Sequence, residues 1–542
     1  MSDHSNPFHD GEIRAQSQAG VSGVADWAAG FIRPFMPDQH REFFCQLPFL
    51  VLAGADETGR HWVTLLDGPD GFITSPDPNS LAMDASLDPH DPLSGTLTNG
   101  GNVGLLGIEL ATRRRNRMNG NLRYDGSILM VDVDQSFGNC PQYIHERKWR
   151  RAERTALGKA VHSSALSEAQ SALIRGADTM FIGTGQSQRG DHPSNGFDAS
   201  HRGGEPGFVA VSDAGHLRIP DYAGNNFFNT IGNLLENPRI GLVFVDFGTG
   251  GLLHVSGTAQ VDWSASESHD PGALRMIDVT IDAVVERPGA LSLRWSKDDS
   301  DLRQLVVIDK VRESEDITSF HLAPADGAAL PAFKAGQHLP VELNIPGQPG
   351  RVRRSYSLSG SPDSGTYRLS IKREAKGMAS RFMHDVLHEG GRVDARHPSG
   401  DFVIPCSNCP LVLVSAGVGL TPMLSMLHDA ARSTERPVWY VHGARNGRSH
   451  ALRAEAARLS KTSPKLKVMT LYTQPDSADI LGEHYDARGR VTVRTLLELN
   501  AGEGAHYMIC GPAAFLADIR SGLEAAGVPE SQIHFETFGP TG

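Results

Sequence analysis

A repeat constrains this chain more than any other feature of its sequence. Gly68-Pro69-Asp70-Gly71-Phe72-Ile73 returns as Gly204-Glu205-Pro206-Gly207-Phe208-Val209, 136 residues later, and residues 103–110 (VGLLGIEL) return as 240–247 (IGLVFVDF), 137 later. Met118-Asn119-Gly120-Asn121 matches Val255-Ser256-Gly257-Thr258 at the same 137. One nearly constant offset across three matches marks a supersecondary unit used twice. Each copy is a series of short apolar runs, such as 49–53, 62–66 and 179–183, split by Gly, Asn, Asp and Pro. That pattern predicts a small antiparallel barrel in each copy, and two such barrels can pack as a covalent pseudo-dimer. Residues 227–238 read as helical, and residues 150–175 as a helical connection between copies.

A chain of 542 residues has room for several cores. With 51 Lys and Arg against 63 Asp and Glu, its formal charge is −12, a poor match to a nucleic-acid partner. The one dense basic run, Arg113-Arg114-Arg115 with Arg117, needs a local account. On an extended strand Arg113, Arg115 and Arg117 share one face, which either meets the other copy's anion site or guards an exposed edge. Five cysteines are too few and too scattered for a disulfide scaffold. Residues 1–12 show no basic region followed by an apolar core, so no signal peptide is expected, and the longest strongly apolar run, 411–419, falls short of the ~20 residues of a membrane helix. The expectation is a cytoplasmic protein with no membrane or nucleic-acid partner and no metal.

In the second copy Ser200, His201, Arg202 and Gly203 offer donors on a backbone that can approach a phosphate closely. The aligned Thr64, Leu65, Leu66 and Asp67 lack those donors, so one anion site per chain is expected. Residues 198–208 (DASHRGGEPGF), 219–225 (IPDYAGN) and 229–234 (NTIGNL) closely resemble the pyridoxamine 5′-phosphate oxidase-like, flavin-binding split-barrel family. The resemblance covers about residues 8–265 and implies FMN held between two barrels. Ser200, His201, Arg202, Gly203, Asn225 and Asn229 would contact it, with Arg113 and Arg115 from the first copy.

The polar run 296–301 marks a boundary near residue 300, after a stretch from 261 to 302 that reads as partly helical. Beyond it come β-rich segments and Arg354-Ser355-Tyr356-Ser357, then residues 371–380 (IKREAKGMAS) leading into a helix. Gly377 and Ser380 at a helix start suit a pyrophosphate, Arg354 can add a charge-assisted bond, and Tyr356 and Ser357 offer a ring face and a hydroxyl. From residue 411 the pattern turns α/β, with the glycine-rich turn 416–422 between a buried strand and a helix, where a nucleotide phosphate binds.

These motifs, with 442–447 (HGARNG), 485–490 (YDARGR), Cys510-Gly511-Pro512 and 534–540 (HFETFGP), resemble the ferredoxin–NADP reductase superfamily, most closely the reductase portion of flavohaemoglobins. The resemblance covers about 300–542 and implies FAD on an antiparallel barrel and NAD(P)H on an α/β lobe. It assigns Arg354, Tyr356, Ser357, Lys372, Gly377, Met378, Ala379, Ser380 and Phe538 to FAD. It assigns Gly417, Gly419, Thr421, Pro422, Arg445, Cys510, Gly511 and Pro512 to the nicotinamide nucleotide, and Ser357, Cys510 and Glu536 to the hydride-transfer site. NADH and NADPH both remain open.

The expected fold is multidomain. It comprises split-barrel repeats at 1–150 and 151–299, an antiparallel FAD barrel at 300–408 and a parallel-sheet NAD(P) domain at 409–542. The expected activity is NAD(P)H-dependent electron transfer through FAD to FMN and on to a small acceptor or dioxygen, in a monomer with an internal pseudo-dimer or in a homodimer. Two alternatives stand beside it: a haem- or ligand-binding carrier or sensor fused to its reductase, and a plain FAD reductase whose first half is structural.

Overall fold

Two sheets with one strand order account for the repeat. In the first, the order is His61–Asp67, Phe49–Ala55, Asn102–Glu109, Arg114–Asp125, Ile128–Gly138, Ser80–Met83, Ile73–Asp77. In the second it is Gly196–Gly203, Thr179–Gln186, Arg239–Asp246, Gly251–Asp262, Arg275–Arg287, His216–Asp221, Ala210–Asp213, with the short Val161–Ser163 added beside Arg275–Arg287. The structure, a computed structural model, describes residues 6–537 apart from 22, 96, 98–100, 126–127, 139–141, 153–157, 187–192, 266–267, 298–301, 349–350, 376 and 434–435. It divides into two units, 1–298 and 299–542.

The apolar runs of the first unit are continuous rather than alternating because their strands are buried on both faces. Leu50, Leu52, Leu66 and Leu105 fill the first copy's core, and Met180, Ile182, Leu242 and Phe244 the second's. The intervening Val51, Ala53, Leu65 and Leu106 meet Phe181, Ala199, Val243 and Val245 in a third core shared by the copies. Period-two side-chain alternation thus serves two cores from one strand. Each Val, Leu, Ile, Met or Phe among them contributes roughly 1.5–3 kcal/mol on burial. The seam needs glycine: a Cβ on Gly104 would lie 2.5 Å from the Phe197 carbonyl oxygen, and one on the pseudo-equivalent Gly241 2.7 Å from Trp62 Cα.

Several expectations need correction. Among the described residues of 150–175 the only helix is Glu168–Gly176, which ends one residue beyond, and Ser167 Oγ accepts from Gln170 N at 3.2 Å at its start. Upstream, Lys148–Arg151 pairs with Leu293–Ser296 and Val161–Ser163 with Arg275–Arg287. The stretch 261–302 holds no helix among its described residues. Ile277, Val279 and Ile281 alternate along the strand Arg275–Arg287 and are buried, a period-two signal that outweighs the local Ala, Asp and Glu content. Ser200 to Gly203 form the end of the strand Gly196–Gly203, so their backbone is engaged in the sheet. Arg113 stands outside the strand Arg114–Asp125 in a left-handed turn (φ 60°) and pairs with Glu146 at 3.2 Å, so it leaves the face of Arg115 and Arg117.

In the second unit an antiparallel sheet runs Val352–Ser357, His338–Leu343, Arg392–Ala395, Arg303–Arg312, Ile317–Pro324, Tyr367–Lys372, with the helix Met378–Asp385 after its last-ordered strand. A parallel sheet follows in the order Ala487–Arg488, Leu466–Tyr472, Val438–Ala444, Leu411–Ala416, His506–Gly511, Ile533–Thr537. From Leu411–Ala416 the chain builds first to one side and then to the other. The crevice outside the carboxyl ends of Leu411–Ala416 and His506–Gly511 is therefore the topological switch point, where open α/β sheets bind ligands. No helix among the described residues is long and apolar enough to cross a membrane.

Candidate functional site

At that switch point the strand Leu411–Ala416 gives way to a tight turn over Gly417–Gly419 and the helix Leu420–Ser433. Gly417 has φ 56°, a left-handed conformation that suits glycine. A Cβ on Gly419 would collide with the Cys510 carbonyl, so the turn and the neighbouring strand end are in contact. Thr421 Oγ1 donates to the Val418 carbonyl at 3.1 Å and braces the turn from inside. Pro422 sits in the first helical turn, where a missing N–H costs nothing. Gly511 ends its strand, and Pro512 caps the helix Ala513–Ala525.

Cys510 and Glu536 are paired across adjacent parallel strands. Ser357 Oγ donates to Glu536 Oε2 at 3.4 Å, so all three residues assigned to hydride transfer meet. His338 joins them, its Nδ1 3.9 Å from Glu536 Oε1 and its Nε2 3.2 Å from Ser399 Oγ. His338 stands two residues after Gly336 and Ser399 directly before Gly400, but nothing local in the sequence ties either to Glu536. Burial pushes the Glu536 carboxyl up to about 8, against the opposing hydrogen bond from Ser357. Burial, then the neighbouring Glu536, raises the Cys510 thiol well above its usual range.

A carboxyl with a raised pKa in the folded state binds its proton more tightly there than when unfolded. Its contribution to stability is therefore complete below about 4.5 and lost as pH rises through about 8. Glu536→Gln is expected to gain in melting temperature relative to the unsubstituted protein across that window. A difference that stays flat with pH would contradict this origin.

The flavin-assigned residues are near one another with some of their groups already engaged. Gly377 precedes the helix Met378–Asp385, and a Cβ there would lie 2.5 Å from Ser380 Oγ. That hydroxyl donates to the Gly377 carbonyl at 3.0 Å and accepts from Glu374 N at 3.1 Å. Ser380 therefore shapes the turn, and the backbone N–H groups of Met378, Ala379 and Ser380 are the ones suited to an anion. Lys372 is paired with Glu374 at 2.9 Å. Arg354 Nη1 donates to the Arg353 carbonyl at 2.7 Å. Tyr356 is half-buried, its phenol pushed up to about 12 by burial. Arg445 lies 3.8 Å from Glu315. Phe538 lies outside the described residues.

The first unit holds a basic pocket whose lining includes Arg115, Arg117, His201, Arg202, Asn229 and Arg275. Arg115 and Arg117 come from the first copy and the other four from the second. Gly203 and Asn225 also line it. Ser200 does not: it is buried against Thr230, its Oγ 3.2 Å from the Thr230 hydroxyl. Arg117 Nη1 donates to Asn229 Oδ1 at 3.0 Å, and Arg115 Nη1 to His201 Nδ1 at 3.2 Å. Asp221 is shared by Arg202 and Arg275, the latter at 2.8 Å. Burial, with Arg115 alongside, keeps His201 neutral well below its usual range. Burial and the neighbouring guanidiniums lower Arg117 to about 10.

Three buried nitrogens here, Arg117 Nε, His201 Nε2 and Arg202 Nε, have no hydrogen-bond partner. Buried donors without acceptors are costly, and an oxyanion would satisfy them. At the pseudo-equivalent positions of the other half, Leu65, Leu66 and Leu252 replace His201, Arg202 and Arg115, and the nearby Asp91 accepts from both Thr64 and Arg287. Sequence reasoning missed Arg275 and Tyr143, which lie far along the chain from residues 219–225, and it quoted that motif without assigning a role to Asp221 or to Tyr222, which stacks on Tyr143 (centroids 5.0 Å apart).

Residues 304–404 match the oxidoreductase FAD-binding domain family and residues 413–521 the oxidoreductase NAD-binding domain family. A flavohemoprotein from Deinococcus radiodurans is 42% identical over 243 residues, covering 44% of this chain and 60% of the relative. A second, from Burkholderia sp. (strain TH2), is 41% identical over 239 residues, covering 44% and 59%. The chain thus spans about three-fifths of the length of these relatives. A solved flavohem-like FAD/NAD-binding domain of nitric oxide dioxygenase from Vibrio cholerae O1 biovar El Tor is 33% identical, covering 44% of this chain and 99% of its own, with a TM-score of 0.39. By the two family matches the second unit carries oxidoreductase FAD- and NAD-binding domains, and it is similar to the corresponding part of the flavohemoproteins.

Proposed function

We propose that this NAD(P)H-dependent oxidoreductase passes electrons through FAD on its second unit to FMN in the basic pocket of its first, and from there to a small acceptor or dioxygen. The reading takes the duplicated sheets as split barrels of the pyridoxamine 5′-phosphate oxidase-like kind. The observation that carries it is the convergence of Arg115, Arg117, His201 and Arg202 from two copies on one pocket with orphaned donors. A bound flavin supplies a carrier that accepts electrons in pairs and releases them singly or together.

The chain's own residues do the positioning. Arg115, Arg117 and Arg202 neutralise a phosphate, and the neutral His201 gives a directional contact without adding charge. In the second unit the bare backbone of Gly417–Gly419 admits the nucleotide, and the N-terminal N–H groups of the helix Met378–Asp385 face a pyrophosphate. Ser357, Cys510, Glu536 and His338 exclude water from the reacting edge and hold a proton at the Glu536 carboxyl.

A haem reading of the first unit, with His201 Nε2 as the iron ligand, is disfavoured: with Nδ1 accepting from Arg115, the neutral ring carries its proton on Nε2. Flavin extraction with an absorption spectrum of the intact protein separates the readings. One FAD and one FMN per chain without a Soret band is the expected result. A Soret band would replace FMN by haem, and FAD alone would make the first unit structural.

A further inference from the structure

Two lobes of the second unit must present nicotinamide and flavin to each other, and apolar packing alone is a weak way to orient them. Part of the junction is apolar: Ile317 and Ala335, from the flavin lobe, pack into the core of the nucleotide lobe. Such contacts are non-directional and tolerate sliding. A second junction is of a different kind. Arg368, on the strand Tyr367–Lys372, reaches Glu455 on the helix Arg453–Ser460 with two parallel bonds, Nη1 to Oε2 at 2.7 Å and Nη2 to Oε1 at 3.1 Å. A paired guanidinium and carboxylate fix both distance and angle.

Both partners are braced from behind. Arg368 Nε donates to Ser359 Oγ at 3.1 Å and Nη2 to the Ser359 carbonyl at 2.6 Å, and Ser359 stands two residues beyond Ser357. Glu455 Oε1 also bonds His428 Nε2, and His428 lies on the helix Leu420–Ser433 that the glycine-rich turn opens. Against the upward pull of burial, the bonds from His428 and Arg368 hold the Glu455 carboxyl down to about 2. Arg368 is buried and Glu455 largely so. A buried ion pair adds little stability over a well-packed apolar pair, so stability alone does not account for it.

We infer that Arg368, Glu455 and His428 are positioning residues that tie the helix behind the nucleotide turn to the strand behind Ser357 and thereby set the approach of nicotinamide to flavin. The inference deepens the reductase reading and rests on it. The test uses the intact, FAD-loaded chain carrying Arg368→Met with Glu455→Leu, which removes the bidentate geometry without stranding a buried charge. FAD content and melting temperature are expected to stay close to those of the unsubstituted protein. FAD reduction by NAD(P)H should slow about 10- to 100-fold, as for a misplacement near 1 Å, and the long-wavelength nicotinamide–flavin charge-transfer absorbance should weaken. Should the double variant fail to fold, Arg368→Lys, which keeps the charge and loses the paired bond, decides by the same readouts. Reduction at the unsubstituted rate would overturn the inference, as would slow reduction with an unchanged charge-transfer band or loss of FAD. Failure of the unsubstituted protein to reduce its FAD would instead remove the reductase reading.

Discussion

Ser357→Ala is expected to slow reduction of the bound FAD by NAD(P)H about 10- to 1000-fold, the range for losing one positioned donor, while FAD stays bound. Ser357 is buried at the end of its strand, so its rotamer is set by packing, and its hydroxyl is aimed at Glu536. Removing one oxygen leaves the strand and the motif around Arg354 and Tyr356 intact. It also removes the bond that opposes the upward shift of the Glu536 carboxyl, so the group that holds a proton there should titrate higher still. Stopped-flow reduction at the unsubstituted rate would take Ser357 out of the mechanism. Loss of FAD would recast it as a binding residue.

Arg117→Met should weaken FMN binding about 10- to 150-fold, from the roughly 1.5–3 kcal/mol of a hydrogen bond to a charged group, and leave riboflavin binding nearly unchanged. Arg117 is held by Asn229, and its Nε has no partner. Methionine preserves most of its volume. Riboflavin lacks the phosphate, so a general disturbance of the pocket would lower both affinities, whereas a phosphate contact lowers one. Arg113→Met serves as the contrast: Arg113 is committed to Glu146 and stands off the strand, so that variant should bind both flavins normally. Equal FMN affinity for Arg117→Met and the unsubstituted protein would refute the phosphate assignment.

Legibility followed the range of the interactions. The turn at residues 416–422 was readable because its causes are local: a buried apolar strand, glycines where φ is positive or a neighbouring carbonyl is close, and a proline where no N–H is needed. The duplication was readable for the same reason, through one offset in the sequence, whereas its strand order came only from the structure. Errors arose where tertiary pairing overrode composition, as in the strand Arg275–Arg287. Ser200 was misplaced because it lies two residues farther into its strand than Arg202, where the core has already closed over it.

By itself the sequence determined that one β-rich unit is used twice, and that a flavin motif and a nucleotide turn follow it. Those properties depend on residue type at short spacing. Only the tertiary structure decided which charges meet. Arg115 and Arg117 reach His201 and Arg202 across a seam that Gly104 and Gly241 hold close. His338 reaches Glu536, and Arg368 reaches Glu455, across junctions that no local pattern encodes. The energy of a charge depends on its desolvation and on partners brought in by packing, and neither exists until the chain has folded.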